Sequence, residues 1–315
     1  MINIESIQTA YKILQSVVHK TPLLSSCTFN KMIGNEIYFK AENFQRIGAF
    51  KFRGAYNKIA SLTEEERKRG VIAHSSGNHA QGVALACKLF GIKAVIVMPH
   101  NSVASKVDAT KGYRAEVIFC GTSTDDRERT TQEFIDKYNY TLIHPYNDEK
   151  LIAGQGTVTL EIFQEIRELD YLFVPIGGGG LISGCSIAAK HFCPTIKVIG
   201  VETEGSNDCY QSFRAENIIK LQSANTIADG MRTLSVGTLN FEIIMRYVDN
   251  VITIKDEDIY PMMRFFLDRM KIVVEPTGAV APAAIMRNVL GLKGKKIAAV
   301  ISGGNVDPNL LKQII

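Results

Sequence analysis

From Val71 onward the chain alternates short, wholly apolar runs with longer amphipathic ones. Ala94-Val95-Ile96-Val97-Met98, closed by Pro99, predicts a buried strand. Val71-Ile72-Ala73, Val117-Ile118-Phe119, Thr141-Leu142-Ile143, 171–176, 196–201 and 296–301 predict further strands. Between them the apolar period lengthens. It predicts helices from Thr124, as N-cap, to Tyr138, from Ala153 to Glu168, and from Leu181 to about Phe192. Strands separated by helices imply βαβ units and parallel sheets covered on both faces, an α/β protein.

Composition narrows the class without changing it. At 315 residues, 46% hydrophobic and 22% charged, the chain has room for about two domains and a core that needs no staples. Such a mixture excludes disorder over most of the length. The 36 Lys and Arg against 32 Asp and Glu leave a net charge of +4, scattered rather than striped, which speaks against a nucleic-acid groove. No apolar run reaches the ~18 residues of a membrane helix, and Met1-Ile2-Asn3-Ile4-Glu5 lacks a secretory layout. The six cysteines are dispersed, with no Cys-x-x-Cys pair and no zinc spacing, so reduced thiols and a cytoplasmic setting are expected.

Candidate chemistry sits just past strand ends, where open α/β sheets bind ligands. Gly177-Gly178-Gly179-Gly180 joins a strand to a helix. Bare amides around one point, at the positive end of a helix, make a phosphate site. A tight turn alone is the poorer explanation, because four glycines cost much chain entropy. Neither a Walker loop nor the dinucleotide fingerprint fits the spacing. Ser75-Ser76-Gly77-Asn78-His79 also leads into a helix and reads as a carboxylate cradle. An ordinary Ser/Asn cap explains it equally well. Ser302-Gly303-Gly304-Asn305 follows the last strand. Lys51 stands between Phe50 and Phe52, a setting that would lower a lysine pKa if the rings desolvate it, although most such lysines are surface residues.

Together, Phe50-Lys51-Phe52-Arg53-Gly54-Ala55, Ser75–His79, the tetraglycine and Ser302–Asn305 resemble the fold-type II pyridoxal-phosphate enzymes. The chain is most similar to the serine racemase and threonine (serine) dehydratase family, essentially from end to end. Asp208-Cys209-Tyr210-Gln211 and Ile227-Ala228-Asp229-Gly230 resemble the racemase branch. The resemblance implies the tryptophan synthase beta-like architecture of two parallel-sheet α/β domains. Residues 1–69 and 147–315 would form the large cofactor domain, and 70–146 a small inserted one.

It implies pyridoxal 5'-phosphate as cofactor, held by Lys51 as a Schiff base. Asn78 would face the ring phenolic oxygen, Gly177, Gly178, Gly179 and Gly180 the phosphate, and Ser302 the ring nitrogen. Ser75, Gly77, Asn78 and His79, with Arg127, would bind the substrate. Ser76 would act with Lys51 as a second acid/base on the opposite face in a racemase, or else merely cap its helix. Glu202, the Ser206 carbonyl and Asp208 match a magnesium or calcium site, against a plain solvated acidic loop. The implied activity is dehydration of L-threonine or L-serine to a 2-oxo acid and ammonia, with serine racemization or threo-3-hydroxyaspartate ammonia-lyase activity as alternatives. The implied partners are a small hydroxy-amino acid and a second copy of the chain, with no nucleic acid or membrane. No regulatory domain is expected after Ile315.

Overall fold

The computed structural model describes residues 2–314. Among the described residues ten strands form two sheets. They are β1 (Leu23–Leu24), β2 (Glu36–Ala41), β3 (Val71–His74), β4 (Ala94–Pro99), β5 (Glu116–Cys120), β6 (Thr141–Leu142), β7 (Tyr171–Pro175), β8 (Lys197–Thr203), β9 (Asn250–Ile254) and β10 (Lys296–Ile301). The larger sheet runs β1-β2-β10-β7-β8-β9, parallel except for the β1–β2 pair. The smaller runs β5-β4-β3-β6, parallel throughout. All of β3 to β6 fall between residues 71 and 142.

Alternation along each strand sends side chains to two separate cores. In the larger sheet Phe173, Ile199, Val201, Ala299 and Ile301 face one core. Leu172, Val174, Val198, Ala298 and Val300 face the other. The smaller sheet divides alike, with Val71, Ala73, Ile96 and Met98 on one side and Ile72, Val95 and Val97 on the other. Burial on both faces is why these strands read as continuous apolar runs.

Two helix starts differ from the sequence expectation. The helix Thr124–Tyr138 is capped by Ser123, not Thr124; Ser123 and Asp126 satisfy each other's backbone N–H groups in a capping box. The helix expected over 153–168 spans Glu149–Glu165. Asp148 starts it earlier by accepting from the backbone of Lys150 and Leu151, so the cap, Glu149 and Lys150 extend the helix ahead of the expected run, and Leu151 and Ile152 join its buried face.

The helix Lys51–Ala60 lies between the sheets. Phe52, Ala55 and Ile59 join the core of the smaller sheet. Its Gly54 faces Gly154 of helix Glu149–Glu165. A Cβ on Gly154 would stand 2.8 Å from both the Arg53 carbonyl oxygen and the Gly54 Cα. That contact brings the two helices close enough to bury ions. Arg53 donates Nε and Nη2 to the two oxygens of Glu42, each at 2.8 Å. Its Nη1 and Nη2 reach Glu161 at 2.7 and 2.8 Å, and Lys40 Nζ reaches Glu161 at 2.6 Å. Thr21 Oγ1 donates to Glu42 at 2.6 Å, and Lys40 Nζ also donates to the Thr21 carbonyl. All four charged side chains are buried, two positive against two negative. Burial works to raise the Glu42 pKa, but Arg53 overrides it and holds the carboxyl below its usual value.

Removing one partner from such a cluster strands the others without water. Glu161→Ala is expected to lower stability to urea by about 3–5 kcal/mol. Glu165→Ala breaks only an exposed 3.7 Å contact with Lys20 and is expected to cost less than about 0.5 kcal/mol.

Candidate active site

One cavity of about 430 Å³ opens at the carboxyl ends of β3 and β7, with the residue after β10 in its wall. Lys51, Ser75, Ser76, Gly77, Asn78, His79, Arg127, Gly177 to Gly180 and Ser302 all line it. The separate motifs therefore meet in one crevice.

Lys51 opens its helix and is half-buried. Its Nζ donates to the Pro145 carbonyl at 2.8 Å and lies 5.3 Å from the Phe50 ring centroid. Phe52 is fully buried in the core, so Phe50 is the aromatic neighbour of the amine. Burial alone lowers the Lys51 pKa to about 8. Backbone contacts tie this lysine to the third motif. Phe50 N donates to the Ser302 carbonyl at 3.0 Å, and Gly304 N to the Gly48 carbonyl at 2.9 Å.

The tetraglycine turns from β7 into helix Gly180–Phe192. The first N–H groups of a helix have no partner within it, so this end faces the cavity as a donor set. No side chain fits at the second glycine, because a Cβ on Gly178 would come within 2.2 Å of the Tyr146 ring. Gly179 has φ +94°, a conformation that favours glycine. The Ser302 hydroxyl is buried in the cavity wall with no hydrogen-bond partner.

Opposite, Ser75 Oγ accepts from Gly77 N at 3.2 Å, shaping the loop before helix Asn78–Phe90. The His79 ring lies within 2.9 Å of the Ile143 carbonyl through Nε2, which must donate. Its Nδ1 has no partner, and burial, helped by the Lys51 charge, pushes its pKa well down. It is a neutral ring, committed at one nitrogen to the backbone. Arg127 donates to Thr124 Oγ1 at 2.9 Å, while its Nε is buried without a partner.

The candidate cation residues stand apart from the cavity. Glu202, Ser206 and Asp208 are fully buried. Glu202 accepts from the backbone N–H groups of Cys209 and Tyr210. Both Asp208 oxygens lack a partner. Burial, then the Asp208 charge, raises Glu202 well above the carboxylate range, and burial raises Asp208 to about 7. Two adjacent buried carboxylates without a counter-charge fit a divalent cation whose other ligands are carbonyls. Among the described residues no cluster of three or more His, Cys, Asp or Glu side chains makes a metal site by itself.

Sequence reasoning missed several wall residues: His74, Tyr146, Thr277, Glu275 and the ion pair of Lys106 with Asp229. Glu275 interrupts the apolar Val273-Val274 just before Pro276, the one local sign of its presence.

The family profile described as pyridoxal-phosphate dependent enzyme matches residues 14–303. The chain belongs to that family. It is 46% identical to an L-threonine ammonia-lyase of Thermotoga maritima over 315 residues, all of this chain and 78% of that one. It is 47% identical to an L-threo-3-hydroxyaspartate ammonia-lyase of Saccharomyces cerevisiae over 294 residues, 93% of this chain and 90% of that one. The solved structure of maize serine racemase superposes with a TM-score of 0.96 at 42% identity, covering 99% and 96% of the two chains. This family member is therefore an enzyme; a desolvated amine, a glycine turn and an orphaned hydroxyl share one of its cavities.

Because Lys51 sits near pH 8 rather than the ordinary 10.5, its folded form disfavours the proton. That cost is full below about pH 8 and fades as pH rises toward the ordinary lysine value. Competitive acylation of the cofactor-free protein, read by mass spectrometry, is expected to show Lys51 half-reactive near pH 8. Surface lysines are expected to follow well above it.

Proposed function

We propose that this enzyme is an ammonia-lyase that removes the α-proton and β-hydroxyl of L-threonine or L-serine, releasing a 2-oxo acid and ammonia. The observation that carries this is Lys51, a lysine with a pKa near 8 in the same cavity as the glycine cradle and the Ser302 hydroxyl.

When bound, pyridoxal phosphate supplies the electron sink for a negative charge at the substrate α-carbon. Lys51 would hold it, with Gly177 to Gly180 donating N–H groups to its phosphate, Ser302 at the ring nitrogen and Asn78 at the ring oxygen. A hydroxyl at that nitrogen, unlike a carboxylate, does not keep it protonated, which favours loss of the β-hydroxyl over transamination. Besides holding the cofactor, Lys51 would serve as the base that takes the α-proton. The N–H groups at the start of helix Asn78–Phe90, with the Ser75–Gly77 loop, suit the substrate carboxylate. The orphaned guanidinium edge of Arg127 gives a second anion a partner, which keeps 3-hydroxyaspartate among the candidate substrates.

Ser76 supports a second reading, serine racemization. It lines the same cavity as Lys51, and inversion needs a proton carrier on each face of the α-carbon. The lyase and racemase readings differ in one group, not in fold.

The smaller sheet, residues 70–146, would act as the inserted domain and close over substrate, with 1–69 and 147–315 as the cofactor domain. The Lys106–Asp229 pair joins the two across the cavity and supports that division. Magnesium or calcium at Glu202, the Ser206 carbonyl and Asp208, a homodimer, and a cytoplasmic setting complete the proposal. The unpartnered Asp208 oxygens support the first; the last two rest on the resemblance. No helix among the described residues is long and apolar enough to cross a membrane.

Purified holoenzyme with magnesium, offered L-serine, D-serine, L-threonine and L-threo-3-hydroxyaspartate separately, is expected to form keto acid and ammonia from L-threonine or L-serine. Lys51→Ala is expected to lower turnover by roughly 10³-fold or more; full turnover would sink the proposal. Ser76→Ala is expected to leave elimination measurable and to cut any racemization by roughly 10²-fold or more. Intact D-serine formation in that variant would remove Ser76 from the chemistry. Magnesium or calcium is expected to raise the melting temperature of the wild type and not that of Asp208→Asn; equal shifts would place the cation elsewhere.

A further inference from the structure

Asn78 is the residue expected at the ring oxygen of the cofactor, yet an amide presents two different faces. Which one meets the cavity decides whether it offers a donor or an acceptor. Its surroundings answer the question. Asn78 Nδ2 donates to Glu275 Oε1 at 2.7 Å, and Asn78 Oδ1 accepts from Asn305 Nδ2 at 2.8 Å. Asn305 Nδ2 also donates to the Ile47 carbonyl at 2.7 Å.

The direction of this chain is fixed at both ends. A backbone carbonyl only accepts, so the atom of Asn305 facing Ile47 must be the nitrogen. That nitrogen requires the oxygen of Asn78 beside it, which turns the Asn78 NH2 toward Glu275. Glu275 Oε1 accepts there. The other oxygen, Oε2, is buried without a partner, so a proton on this carboxyl has a place that leaves Oε1 an acceptor. Burial, then the Asp229 charge, raises the Glu275 pKa to about 7. With one N–H engaged by Glu275, Asn78 retains one N–H for the cavity.

The local backbone is shaped for this relay. Ile47 adopts φ +61°, where a β-branched residue is strained, and in that conformation its carbonyl receives Asn305. Gly48 follows at φ +71°, and a Cβ there would stand 2.7 Å from Asn305 Oδ1. Gly303 leaves room for Glu275, since its Cβ would lie 2.4 Å from Oε1. Strain and two close glycines around three amide and carboxyl groups mark a built arrangement.

We propose that Glu275 is a positioning residue which, with Asn305 and the Ile47 carbonyl, locks the Asn78 amide nitrogen toward the cavity so that it donates to the ring oxygen of bound pyridoxal phosphate. The proposal rests on the cofactor reading above and adds the residue that orients its ring contact.

The test compares two ligands on cofactor-free protein: pyridoxal phosphate and its analogue lacking the ring hydroxyl. Glu275→Leu removes the acceptor and is expected to weaken pyridoxal phosphate about ten- to hundredfold, the factor of one hydrogen bond to a charged oxygen. Binding of the analogue is expected to stay as in the wild type. Glu275→Gln keeps an acceptor at Oε1 and is expected to restore the wild-type preference. Asn305→Asp replaces the donor at the other end and is expected to give the same selective loss. Equal weakening of both ligands by Glu275→Leu, or weakening of neither, overturns the relay. So does an unchanged preference in Asn305→Asp, which also decides the matter if Glu275→Leu does not fold. Wild-type protein that binds neither ligand refutes the cofactor assignment itself, and the relay with it.

Discussion

The buried ion cluster around Arg53 is the constraint on which the site depends. Taking charges out of water is costly, and the cost is offset only while every charge meets its partners in good geometry. Arg53 meets Glu42 and Glu161 through several N–H groups, which leaves it little freedom to slide or rotate. Lys51 lies two residues away at the start of the same helix. Its position is therefore inherited from an ion cluster that takes no part in the chemistry. The contrast between neighbours is informative. Arg53 is held in its charged form by two carboxylates, whereas Lys51 experiences burial with no carboxylate to offset it. Two helix positions separate a permanent cation from an amine poised to lose its proton.

Buried polar atoms without partners are few in folded proteins and cost about 1–3 kcal/mol each. Four of those found here line a single cavity: Ser302 Oγ, Glu275 Oε2, Arg127 Nε and His79 Nδ1. Concentrated in one place, they describe the chemistry of what is meant to fill it. The candidate cation site contributes from behind. Ser206 Oγ donates to the Met231 carbonyl, and the adjoining Gly230 lies against Gly177, whose Cβ would stand 2.9 Å from the Gly230 carbonyl oxygen. Ordering the 202–208 loop thus supports the wall against which the glycine cradle rests.

The sheets were legible wherever burial on both faces made a strand uniformly apolar, as in β4 and β10. β2 was not, because Lys40, near its carboxyl end, reads as a surface residue. Its charge is buried against Glu161, 121 positions away, a pairing no local pattern carries. The same reason separates the site residues. The cradle, the Ser75–His79 loop and Ser302 are marked by glycines and hydroxyls clustered at strand ends, so the sequence displays them. Glu275 acquires its role only from Asn78, 197 residues earlier in the chain. The shifted helix starts show a smaller version of this: Ser123 and Asp148 act through backbone geometry, while the apolar period reports only the face that packs.

The relation between elimination and inversion can be put in the same physical terms. Both begin with a proton leaving the α-carbon, and in the proposed reading both would use Lys51 on one side. Inversion adds a requirement on the other side, a hydroxyl held at a fixed place. Ser76 immediately precedes Gly77, the cap of helix Asn78–Phe90. That helix is pressed against the backbone of Lys51: a Cβ on Gly82 would come within 3.3 Å of the Lys51 carbonyl. A helix contact made possible by Gly82 thus sets how the Ser75–Gly77 loop, which carries Ser76, approaches the lysine helix. In the proposed reading, inversion would require this loop to hold Ser76 at the second face of the α-carbon, whereas elimination would not.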